Sequence, residues 1–303
     1  MTNMVAPTEE RATEERIEAQ RRLDLTELKQ RRDGSFNWFF AIAIAIFHLG
    51  ALAAFFTFRW SSLVVFAAMW IFAQNIGIAI GYHRLLTHRG YTTPKWLEYC
   101  IAVCGTMALQ GGPIYWVAVH RLHHQLTDRP GDPHSPRDGT WWSHIGWILH
   151  GSLHNETAVL SKYAPDLARD PFYNWLSRYN WLPVTLVGIA LYLAGGWSWV
   201  FWGIFLRATL GLHVTWLVNS ATHIWGSQRF ATRDDSRNNW WVALLTGGEG
   251  WHNNHHAHPV SSRHGLAWYE LDLNYAFIRL LAAVGLAHKV KTARVDGSSA
   301  IQY

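Results

Sequence analysis

The stretch Gly34–Phe58, "GSFNWFFAIAIAIFHLGALAAFFTF", contains no Asp, Glu, Lys or Arg, and "WSSLVVFAAMWIFAQNIGIAIGY", Trp60–Tyr82, follows after Arg59 alone. A hydrocarbon core about 30 Å thick needs about 20 predominantly apolar residues of helix to cross it. Each run is long enough for one span. Buried helices of soluble proteins are shorter and apolar along one stripe, whereas these runs are apolar on every face. A third charge-free run, Tyr179–Leu206, continues beyond Arg207 to Thr222, and Gly195-Gly196 near its middle predicts a turn between two further spans. The expected architecture is all-α, with four transmembrane helices and a helical cytosolic cap.

Charge and aromatic placement orient the chain. Arg11, Arg16, Arg21, Arg22, Lys29, Arg31 and Arg32 precede the first run, while the loop after it has only Arg59 and the Gly195 turn has none. Cytosolic loops carry the Lys/Arg excess, so the termini and the long polar segments belong in the cytosol. Trp60 and Trp197 to Trp202 fit an outer interfacial belt, Trp175 and Trp181 an inner one. The reading divides the chain into a cytosolic N-terminal segment at 1–33 with no signal-peptide core, a membrane domain with its cap at 34–291, and a tail at 292–303. Cys100 and Cys104, four apart in an apolar run, read as packed helix residues with no disulfide.

Histidine carries the chemistry. "GEGWHNNHHAHP", Gly248–Pro259, crowds His252, His255, His256 and His258 into seven residues. Clustered imidazoles would repel if charged, and as neutral rings they are metal ligands or proton carriers. Three further groups start at the inner end of a span or lie in a cytosolic segment: His83 and His88 in "GYHRLLTHRGY", His120, His123 and His124 in "VAVHRLHHQLTD", and Asn219 with His223 in "TWLVNSATHIWG". On a helix, His120, His123 and His124 share a face, and His252, His255 and His256 repeat those offsets. His83 and His88 are five apart, about 140° around a straight α-helix, so they suit two different metals or a helix that ends between them. Nine imidazoles exceed one ion, fit two with open positions, and lack the Cys of a structural zinc site. His48 and His213 lie inside spans, where His213 is expected to bond across helices; His134, His144, His150, His154, His264 and His288 have no assigned role, and His258 is the least passive of the rest.

Taken in order, "HRLLTH", "HRLHH", "NSATH" and "HNNHH" resemble the boxes of membrane fatty-acyl desaturases of the stearoyl Δ9 type, supported by "DPHSP" at Asp132–Pro136 and "WWSHIGW" at Trp141–Trp147. The resemblance spans roughly Asn37 to Lys291. It implies two non-haem Fe ions held by the nine histidines, with Asn219 acting through a water, and O₂ as co-substrate. It also implies a bent acyl tunnel lined at its kink by Gln110, Trp116, Thr215 and Trp216, and it alone carries the cis double bond at Δ9. The chain departs from animal acyl-CoA desaturases in having Gly111, Gly112 and Pro113 after Gln110, and Ala118 and Val119 before His120, where those enzymes carry polar and charged residues. "QGGPIYWVAVHRLHH" looks closer to cyanobacterial-type enzymes acting on acyl chains of glycerolipids. The expectation is an acyl-lipid substrate, a bacterial inner membrane and no nucleic acid, with an acyl-CoA substrate as the alternative.

The chain carries no cytochrome b5 HPGG segment and no four-Cys ferredoxin run, so a separate donor, ferredoxin first and cytochrome b5 second, is expected. The formal charge of +5 and an edge comprising Arg84, Arg89, Arg121, Arg129 and Arg137 would favour an acidic donor. Two other functions remain open at this stage. A membrane hydroxylase could use the same ligands, and a non-enzymatic metal-binding membrane protein could use some of them; a transport path, however, would set its ligands near mid-membrane.

Overall fold

The computed structural model describes residues 35–151 and 162–293, and among these the chain is helical with no strand. The N-terminal segment 1–33, nearly all of the tail at 292–303 and His154 lie outside the described residues. Among the described residues three helices are long and apolar enough to cross a membrane: Trp38–Phe55, Trp60–Thr87 and Trp181–Ile224. Their outer faces are bare hydrocarbon, with Phe39 75% and Leu193 78% exposed. In water that would be an aggregation surface; in lipid it is the solvent-facing side.

The first of them, α1 (Trp38–Phe55), begins where the Asn37 side chain accepts the Phe40 N–H at 3.2 Å. The second starts as α2 (Trp60–Trp70) and continues unbroken through the π-helical turns Ile71–Thr87, past the expected end at Tyr82. Against it lies α3 (Lys95–Thr106), close enough that a Cβ on Gly77 would stand 2.5 Å from the Cys104 carbonyl carbon. Both cysteines are on α3 as free thiols, but Cys100 is exposed rather than packed, the buried positions of this helix being Ile101, Ala102, Gly105 and Thr106.

The last apolar stretch doubles back. Helix α5 (Trp181–Val200) is interrupted at Gly196, with φ 66° and ψ −160°, and a short π-helical turn then leads into α6 (Arg207–Ile224). Leu191 reaches within 2.9 Å of where a Cβ on Gly203 would stand, although twelve residues of straight helix would separate them by about 18 Å. The turn foreseen at Gly195-Gly196 is therefore present. That backbone region is almost confined to glycine, costing other residues about 1–3 kcal/mol. No atom lies within 4 Å of a Cβ at Gly196, so Gly196→Val tests the backbone alone. We expect it to lower thermal stability in detergent by that amount; an unchanged melting curve would mean that the reversal does not depend on this conformation.

Polar contacts join α1 to α6. Thr209 Oγ1 donates to the Phe47 carbonyl at 3.1 Å, and His48 Nε2 lies 3.0 Å from His213 Nε2, the cross-helix partner expected of His213. The polar elements follow. Helix α4 (Pro113–Leu126) starts with proline, where no N–H is needed. Helices α7 (Trp240–Thr246), α8 (His252–Ala257) and α9 (Leu273–Ala283) come after α6, with the start of α7 tied to the approach to α8 by the 2.8 Å Asn239 N to Gly250 O bond.

Candidate metal centre

Four chain segments bring the nine box histidines together in two adjoining groups. His83, His88, His120, His124 and His255 form one, and His123, His223, His252 and His256 the other, each with ring nitrogens within 4.8 Å of one another. Helix geometry explains the division. On α4, His120 and His124 are one turn apart and their Nε2 atoms approach to 3.1 Å, while His123, rotated about 100° from His124, faces the second group. On α8 the sharing is reversed: the His252 and His256 rings lie 4.4 Å apart in the second group, and His255 turns to the first.

His83 and His88 belong to the same group, contrary to assignment to two metals. The π-helical turn is the reason. It aligns residues five apart, as the 3.1 Å bond from His88 N to His83 O records, and brings the two rings to 4.8 Å.

The donor set fits transition metals. His255 Nε2 lies 3.0 Å from both His83 Nε2 and His124 Nε2, and His252 Nε2 lies 3.0 Å from His223 Nε2. His83 spends its Nδ1–H on Glu249 Oε2 at 2.6 Å, leaving a lone pair at Nε2. His223 does the same with Asp128 at 2.9 Å, His123 with Asp132 at 3.0 Å and His256 with Asp234 at 3.1 Å. Facing ring nitrogens at this spacing need a proton or a cation between them, and a metal ion can satisfy several at once. Carboxylates behind the imidazoles hold the tautomer that metal binding needs. His88 Nε2, His255 Nδ1 and His256 Nε2 are buried with no hydrogen-bond partner among the described residues.

Charge follows the same logic. Burial, then neighbouring imidazoles, holds His120, His124, His252, His255 and His256 well below the usual histidine value. Burial also lowers His123, but Asp132 and Asp128 outweigh it and leave that ring raised; Asp132 is itself held down to about 2, burial being overcome by His123. For the five depressed rings, the unfolded chain takes up protons first as pH falls through about 6.5. Their contribution to stability is therefore complete above that pH and lost below it. Between pH 7.5 and 5.5 the metal-free protein should lose melting temperature steeply, with more than one proton taken up on unfolding. A flat profile in detergent calorimetry would contradict the burial of these rings as neutral groups.

Several neighbours of the rings drew no role from the sequence, although Asp132 opens the "DPHSP" stretch. Asp128, Asp132, Asp234 and Glu249 are the four carboxylates just named, and they lie in "TDRPGDPH", "RDDS" and "GEGWH". His264 and His134, left without a role by the sequence, are both buried: His264 packs 4.5 Å from His255, and His134 4.4 Å from His123. His134 is driven down to about 3 by burial and by His123. His258 meets Phe230 edge-on instead.

The basic edge needs correction. Arg84 is buried, paired with Glu249 at 2.7 Å and Asp272 at 3.0 Å, so it sits inside the fold and faces no partner. Arg121 and Arg89 both pair with Asp166 at 2.6 Å and Arg137 with Asp235 at 2.6 Å, and Arg89, Arg129 and Arg137 remain exposed.

A pocket opens below the histidines, with His83, His120, His252 and Glu249 at one end and Trp70 and Gln74 towards the other. Trp116, Thr215 and Asn219 line it. Gln110 stands behind, accepting from Trp116 Nε1 at 3.0 Å and donating to Thr215 Oγ1 at 2.8 Å. Trp216 is buried against His144 and His213.

A family model described as fatty acid desaturase matches residues 59–289. An sn-2 palmitoyl-lipid 9-desaturase of Nostoc sp. (strain 36) is 48% identical over 87% of this chain and 93% of its own length. An sn-1 stearoyl-lipid 9-desaturase of Anabaena variabilis is 46% identical over 85% and 94%. An acyl-CoA 5-desaturase of Anemone leveillei is 43% identical over 84% and 79%.

Proposed function

The chain belongs to the fatty acid desaturase family, and from that premise we propose that it introduces a cis Δ9 double bond into a saturated acyl chain esterified in a membrane glycerolipid. The observation that carries the reading is the pair of histidine groups at the mouth of one apolar cavity. The five-histidine group would hold one iron, and the four-histidine group with Asn219, through a water, the other. Such a pair would supply the oxidising power, drawn from O₂ and two external electrons, that an unactivated C–H bond needs and no side chain provides. The balance is one saturated bond, O₂, two electrons and two protons in, and one alkene and two waters out.

The chain's own residues do the rest. Glu249, Asp128, Asp132 and Asp234 keep the ligand tautomers in place. Trp116 stacks 5.0 Å from His120 and, with Gln110 and Thr215, shapes the wall where the acyl chain turns. The acyl-lipid assignment is supported by the relatives named for lipid substrates. It is also supported by Gly112, where a Cβ would stand 2.5 Å from Ser177 Cα, and by the buried Ala118 and Val119, which offer no cation to a CoA phosphate.

We read the apolar hairpin at Gly196 as the third and fourth of four spans, with 34–291 a single membrane domain whose histidine-bearing cap faces the cytosol. The Lys/Arg distribution supports that orientation. Electrons would come from a docked ferredoxin or cytochrome b5.

The test is gas chromatography with mass spectrometry of total fatty acids from a bacterial host lacking oxygen-dependent desaturation, expressing the chain with a ferredoxin system. New cis-Δ9 monoenes in glycerolipids are expected. Hydroxy acids in their place, or no lipid change with iron-loaded protein and donor present, would overturn the reading. In the same assay Trp116→Ala should change the ratio of products differing in chain length or bond position by about tenfold or more, the worth of one methylene in an apolar pocket, while iron content stays as in the parent.

A further inference from the structure

Past the histidines the cavity continues as a slot between the second apolar helix and α6. Trp70, Gln74, Ile78 with Ala79, and His83 recur every four or five residues along one wall, and Val214, Thr215, Val218 and Asn219 form the other. Gln74 is out of character there. It is buried, its Nε2 has no hydrogen-bond partner among the described residues, and its Oε1 makes only a long 3.5 Å contact with Gln110 Nε2, which is already committed to Thr215. Its carboxamide fills the notch left by Gly211, where any Cβ would collide with Nε2. An unsatisfied buried donor is costly, so an apolar side chain would serve stability better at this position.

We propose that Gln74 is a specificity-determining residue: seated in the Gly211 notch, its carboxamide bars the slot and sets how many carbons of an acyl chain fit beyond the metal groups. The proposal rests on the acyl-desaturase reading above. An ester head group drawn to mid-membrane would leave its oxygens unsolvated, so the limb running inward takes the methyl end. From His83 to Gln74 is roughly 13 Å at 1.5 Å per residue, and somewhat less in π geometry. Below Gln74 the lining continues to Trp70, which is the room a longer chain would occupy. To reach it, the chain must bury the amide N–H against hydrocarbon or displace the carboxamide from its notch.

The experiment feeds saturated fatty acids from myristic to arachidic to the same host and reads the ratio of longer to shorter monoenes within each culture. That ratio does not depend on how much enzyme is made. Gln74→Ala should raise it by about tenfold or more, given the 10–200-fold discrimination of one methylene in an apolar pocket. Gly211→Ala, which drives the carboxamide into the slot, should lower it. In both, the double bond should keep its distance from the carboxyl end. Should either variant fail to accumulate, Gln74→Asn, one methylene shorter, should give a smaller rise. An unchanged ratio in Gln74→Ala or Gln74→Asn, or a rise in Gly211→Ala, overturns the proposal. Absence of any monoene from the parent chain would instead defeat the desaturase reading.

Discussion

His255→Ala should abolish desaturation and strip metal from the five-histidine group. His255 Nε2 sits 3.0 Å from both His83 Nε2 and His124 Nε2, so its loss opens the centre of that group and breaks the bridge between α8 and the second apolar helix. Loss of an outer-sphere partner costs about 10- to 100-fold in metal affinity or activity; removal of a direct ligand should exceed that. Because His123, His223, His252 and His256 keep their own contacts, the variant should still bind one metal per chain. Elemental analysis beside the fatty-acid assay separates the outcomes. Two metals per chain with normal product would remove His255 from the centre, and complete unfolding would show the ring to be structural first.

Glu249→Gln should be nearly as damaging, for a different reason. This carboxylate takes the His83 Nδ1–H at 2.6 Å, two bonds from Arg84 at 2.7 and 3.1 Å, and Asn274 Nδ2 at 3.0 Å. Neutralising it leaves the buried Arg84 guanidinium with Asp272 as its remaining acidic partner. Breaking a buried pair by removing one charge costs about 3–5 kcal/mol, and His83 loses the partner that fixes its tautomer. The expected result is a markedly lower melting temperature in detergent together with weakened metal binding at the five-histidine group. A variant that melts within a degree of the parent and retains two metals would show that Arg84 and Asp272 suffice.

The two substitutions differ in how visible they were. His255 belongs to a spaced box that anyone reading the chain would mark, since imidazoles at helical offsets beside a span have few uses other than metal binding. Glu249 is an ordinary acid between two glycines until the fold sets it against Arg84, 165 positions earlier in the chain. Arg84 shows the opposite failure. Its charge and its place beside a histidine box suggested a surface for an acidic donor, yet two carboxylates from distant segments draw it inside.

What the sequence determined by itself is what depends on local transfer energies and on offsets along one helix: the apolar spans, the reversal at Gly196, the histidine boxes and the family. Tertiary structure alone decided which histidine joins which group, that π-helical turns bring His83 and His88 onto one side, which carboxylates stand behind the rings, and that Gln74 meets Gly211 across the slot. The reason is geometric. Spacing in a chain specifies a face of one helix, but these groups are assembled from four segments, and their membership depends on how those segments cross.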